Sequence, residues 1–157
     1  RLSDLFMRLV PEQFRGGRGA WPGNDTTWRM VMDLNKIALY GTADGQLAQE
    51  PQRVVYSLCD GIIGGEGDGP LNSQPLPLGV LSLTNHSGMN DIAMATLLGM
   101  DPERLPMLQE AARLQGRDKV RLTWNCREIS LDDLRPYRIK TQPPPGWEVV
   151  FLPTPEP

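Results

Sequence analysis

Three carboxylates, Asp60, Glu66 and Asp68, stand within the eleven-residue segment DGIIGGEGDGP, interleaved with five glycines. Carboxylate oxygens are hard ligands suited to magnesium or calcium, and glycines let a backbone turn tightly and approach a bound group closely. The segment is therefore a candidate divalent-cation loop with Asp60, Glu66 and Asp68 as its metal ligands. Its spacing is neither that of the EF-hand, which alternates oxygen ligands and ends on a glutamate, nor that of the phosphate-binding P-loop, which ends on Lys and Ser or Thr. The competing structural account has the glycines shape a tight loop while the carboxylates bind its own amides.

Two further groups carry potential chemistry. NHSGMND, after a second apolar run, offers Asn85 and His86 as ligand contacts, with His86 the one histidine of the chain. Asp91 follows at the head of an apolar helix, where a carboxylate needs the helix dipole or a specific partner. It is the candidate general base. GNDTTWR places Asn24, Asp25 and Arg29 at the start of an earlier helix, whose free amides could meet an anion; capping accounts for Asn24 and Asp25 equally well. Arg29 is spaced to pair with Asp25. Cys59 and Cys126 lack metal-site spacing, so this chain alone assembles no iron–sulfur cluster, and both read as buried, reduced thiols.

Periodicity sets the elements that must position these residues. RLSDLFMRLV reads as a short amphipathic helix ended by Pro11, and TWRMVMDLNKIALYG as a largely buried helix over about 26–40 ended by Gly41. RVVYSLCD reads as a central strand ending near Asp60, PLGVLSLTN as a second strand ending at Asn85, and KVRLTWN as a third. Between the last two, NDIAMATLLGM and DPERLPMLQEAARLQG have helical spacing, with Gly99 and Gly116 as stops. This order predicts an α/β fold with a small, mostly parallel sheet flanked by helices and a right-handed crossover into the third strand. The acidic loop and the Asn85–His86 turn would then share one edge of the sheet, where such folds bind ligands. Residues 1–142 read as a single domain and 143–157 as a proline-rich tail in which WEVVFL could add an edge strand.

Sixteen basic against nineteen acidic residues give a net charge of -3, so nothing favours a phosphate backbone as partner. No apolar run reaches the roughly 20 residues of a membrane span. The chain opens on Arg1, and the expectation is that a native N-terminus is missing and that the protein is cytoplasmic.

GNDTTWRMVMDLNKIALY, DGIIGGEGDGP and GVLSLTN…DIAMATLLGMDPERLP together resemble the Domain of Unknown Function 362 family over roughly residues 21 to 111. Asp60, Glu66, Asp68 and Gly69 fall on that family's loop motif and Asp91 on its helix motif, while Asn85, His86 and Ser87 depart from it. The resemblance implies an α/β fold, the C-terminal half of a longer protein and a metal-linked or redox setting. It implies no reaction. The resulting expectation is a domain that binds a small-molecule ligand or a divalent cation through its acidic loop, as part of an enzyme or not. The alternative is a non-catalytic domain that pairs with a missing N-terminal segment, another chain or a second copy of itself.

Overall fold

The computed structural model describes residues 24–115 and 121–152. The helix read at residues 2–10 lies outside them. Helix α1, Thr27–Tyr40, begins where Asn24 Oδ1 accepts the Thr26 and Thr27 amides at 3.0 and 2.9 Å. At its other end the Arg53 guanidinium donates to the Ala38 and Gly41 carbonyls, satisfying groups that helix geometry leaves open. The helix sits where its sequence places it but is not buried: none of its residues is, and Leu34 and Ile37 are both more than half exposed.

Strands β1, Ser57–Asp68, and β2, Asn72–Thr84, form one long antiparallel hairpin. This corrects two readings. The sheet is not mostly parallel, and DGIIGGEGDGP is not a loop leaving a strand end but the greater part of a strand. Only residues 69–71 join the strands, whereas a parallel pair needs a crossover of a dozen residues or more. Glycine is depleted in strands because it has no side chain to pack, yet here that absence is what fits. A Cβ on Gly64 would stand 2.7 Å from Leu78 Cδ1, and one on Gly61 3.1 Å from the Val80 carbonyl oxygen. The glycines let the partner strand's side chains lie across β1.

Helix α2, Ser87–Leu97, follows β2 and closes in a reciprocal pair of hydrogen bonds, Met100 N to Ala95 O and Gly99 N to Thr96 O. That arrangement needs a left-handed residue, supplied by Gly99 at φ +77. After a 3-10 turn over Pro102–Arg104 comes α3, Pro106–Gln115. The third strand shrinks to β3, Leu122–Trp124, and pairs antiparallel with β4, Arg127–Ile129, in a separate sheet. Among the described residues it has no parallel crossover to β2. Asn125 and Cys126, both at positive φ, make the two-residue turn between β3 and β4. Cys126 is consequently exposed and Cys59 only partly covered, so neither is the buried thiol expected. WEVVF is not a strand: Glu148–Val150 is a 3-10 turn, followed by a single bridge from Phe151 to Met100.

Two apolar clusters meet at α2. Ala93 and Leu97 pack with Val80 and Leu134, while Met89, Ile92 and Ala95 pack with Leu108 of α3. Leu131 touches both. No helix of the described residues is long and apolar enough to cross a membrane.

Candidate functional site

The hairpin spreads the three acidic residues along one strand instead of gathering them. Asp60 pairs with Leu81 and Asp68 with Asn72. At about 3.3 Å per residue, eight positions put them roughly 26 Å apart, beyond the reach of one ion. Each carboxylate has its own surroundings: Asp60 Oδ1 accepts the Ile62 amide at 3.1 Å, and Glu66 Oε2 accepts the Gln142 amide at 2.6 Å. The Glu66 contact works with Gly67 N, which donates to the Gln142 carbonyl at 2.9 Å, to fasten the hairpin tip to the chain that follows Ile139. Among the described residues no three His, Cys, Asp or Glu side chains are grouped to hold a metal.

Asn85 and His86 lie at the other end of the same hairpin. Thr84 pairs with Ser57, so about 35 Å of strand separates them from Asp68, and the antiparallel pairing removes the shared edge that parallel strands would have provided. His86 begins α2, its carbonyl accepting the Met89 and Asn90 amides at 3.1 Å each, and its ring Nδ1 is buried without a hydrogen-bond partner. Asn85 is exposed.

The structure does bring together Asp91, Asn24 and Asp25. All three line a cavity of about 700 Å³ bounded by the start of α1, one face of α2, the entry to α3 and the 146–150 segment. Trp28, Met94, Leu98, Met107 and Trp147 make most of it apolar, and Arg104 is its cation. Asp91 is an exposed residue at this cavity, yet the surrounding walls remove enough water to raise its carboxyl above the usual range. No hydrogen bond or ion pair reaches it among the described residues.

The neighbouring polar groups are largely occupied. Asp25 Oδ2 meets Arg29 Nη2 at 2.9 Å and its Oδ1 accepts from Trp28 Nε1 at 2.9 Å. The Arg29 contact first, then Trp28, holds the Asp25 carboxyl below the usual range. Arg29, lying 4.4 Å over the Trp28 ring, is thus committed to Asp25 and its indole neighbour. Arg104 pairs with Asp101 at 3.2 Å. Asn24 spends its oxygen on the helix start and keeps a buried Nδ2 with no partner.

The cavity therefore holds an unpaired carboxylate among apolar walls, beside an Asn24 whose buried Nδ2 has no partner. Sequence reasoning found Asp91, Asn24 and Asp25 but missed Trp147 and Met94. An aromatic residue inside a proline-rich end is the signal that could have drawn Trp147 into the site, and the i, i+3 relation to Asp91 could have drawn Met94. No protein-family model, curated protein or solved structure matches this chain.

Proposed function

We propose that this chain is a small-molecule-binding domain whose site is the Asp91 cavity rather than the acidic strand. The observation that carries the reading is a carboxylate raised by desolvation, without a partner among the described residues, in the wall of a largely apolar space. A cavity of about 700 Å³ lies within the usual range for drug-sized ligands, which are held by apolar walls and oriented by a few polar groups. The ligand class that fits is a largely apolar molecule bearing an amine or amide, its N–H donating to Asp91. A raised carboxyl is also a stronger base than an ordinary one, so proton abstraction from a bound ligand is the enzymatic version of the same reading.

Phenylalkylamines and their amides are suitable probes, with quenching of tryptophan fluorescence as the readout. Asp91→Ala should weaken the amine by about tenfold, the scale of one hydrogen bond to a charged group. Met94→Trp, which fills the space, should abolish binding while circular dichroism stays unchanged. Equal affinity for wild type and both variants would place the ligand elsewhere and end this assignment.

A further inference from the structure

A second cavity, of about 480 Å³, also lies against α2 and shares Met94 with the Asp91 cavity, and its outline is unusual. Five consecutive residues of β2, Val80 through Thr84, line one side, and four consecutive residues, Arg121 through Trp124, line another. A strand presenting its face contributes alternate residues, because successive side chains point to opposite sides. Consecutive residues from both strands are what two strand edges contribute. Met89, Ala93 and Leu97, each four residues after the last on α2, form the floor.

Among the described residues both edges are open: β2 pairs only with β1, and β3 only with β4, so the backbone groups on the facing edges have no backbone partner there. Unpaired strand edges are templates for another chain. The walls add one unmet polar demand. Arg121, the single charged residue of the lining, makes no hydrogen bond or ion pair among the described residues. No acidic side chain lines the cleft. An alkyl chain would fill the apolar floor but leave the strand edges and Arg121 unanswered, whereas an extended peptide supplies backbone donors and acceptors to the edges and a carboxylate to the arginine.

We propose that this cleft takes an extended peptide strand, bound by backbone hydrogen bonds to the edges of β2 and β3, with small apolar side chains over α2 and a carboxylate against Arg121. The five flanking residues of β2 span roughly 16 Å, enough for about five residues of the guest. Such a strand would join the two separate hairpins into one sheet over α2. This site shares the Met94 wall with the Asp91 cavity but uses none of its polar groups, and it stands whether or not that cavity binds amines.

The test is selection of random phage-displayed peptides of about ten residues on the purified chain, followed by synthesis of the enriched peptide. The expected peptide alternates apolar residues and carries an Asp, Glu or terminal carboxylate at a fixed place. It should slow amide exchange at residues 80–84 and 121–124. N-methylation of alternate backbone nitrogens should weaken it by about tenfold or more, since each removes an edge hydrogen bond. Arg121 is exposed, so Arg121→Glu leaves the fold intact by circular dichroism and should reverse the preference toward a Lys-substituted peptide. No enrichment, protection confined to other segments, indifference to N-methylation, or indifference to Arg121→Glu would each overturn the proposal. Protection of the same amides by dodecanoate as strong as that by the peptide would assign the cleft to an acyl chain and overturn it too.

Discussion

At the residue scale, what sets Asp91 apart from four partnered carboxylates is a lack of company. Asp25, Asp44, Glu110 and Asp133 are held below their ordinary range by hydrogen bonds, the first by Arg29, the second by Thr42, the third by Arg113 and the fourth by the Ser130 amide and hydroxyl. Asp91 moves the other way through desolvation alone. A carboxyl raised on folding contributes stability that is fully present below its unfolded value, near 3.8, and lost as pH rises through the folded one. Asp91→Asn should therefore melt above wild type at pH 7, by less than about 1 kcal/mol because the residue is exposed and water screens it. The difference should vanish below the unfolded value. Thermal melts of both proteins from pH 3 to 8 check this. A gap that persists or widens in acid would mean that another change, not relief of the partly desolvated charge, stabilises the variant. This residue was legible in the sequence because a carboxylate heading an apolar helix is locally incongruous. Its partnerless state was not, since it depends on what α1 and the 146–150 segment bring to the cavity.

At the element scale, punctuation was read well and pairing was not. Gly99 and Gly41 end helices where the sequence places them, because helix stops are local backbone requirements. Strand direction is a long-range property. Five glycines in eleven residues look like a loop to any propensity argument, and the fact that reverses it, Leu78 and Val80 lying over Gly64 and Gly61, exists only once β2 has folded back. The same reading set the whole acidic segment beside His86, whereas the hairpin keeps Asp60, opposite Leu81, toward that end and carries Asp68, opposite Asn72, to the far one. Gly99 supplies the element-scale prediction. Gly99→Ala puts a Cβ at φ +77 and should cost about 1 to 2 kcal/mol in urea unfolding. Ala at Gly65, whose φ is not left-handed and whose nearest neighbour is the Ser73 side chain, should cost less. Equal losses at the two glycines would show that the α2 terminus does not depend on the left-handed conformation.

At the scale of the whole molecule, α2 is the element on which everything else is assembled. One part of its surface joins the hairpin and the 3-10 turn over Asp132–Tyr137, another joins α3, and residues 139–141 bind its last carbonyls through Ile139 N to Leu97 O at 2.7 Å and Thr141 Oγ1 to Leu98 O at 2.8 Å. Both proposed sites also use it, Asp91 in one cavity, Met89, Ala93 and Leu97 in the other, and Met94 in both. Because two clusters share a single helix and also touch through Leu131, loss of either should loosen both. Ile92, 2% exposed, and Leu134, 1% exposed, are the most enclosed large side chains, one in each cluster. Ile92→Ala and Leu134→Ala should each cost about 2 to 5 kcal/mol through lost burial and the space left behind. Each should lower one common transition, seen alike by far-ultraviolet circular dichroism and by tryptophan fluorescence, to which Trp124 beside Leu134 contributes. If Leu134→Ala advances the fluorescence transition while the helical signal melts as in wild type, the two clusters are separate folding units. A peptide strand closing the cleft would then stabilise only the hairpin side, whereas in a single cooperative unit it raises the melting temperature of the entire chain.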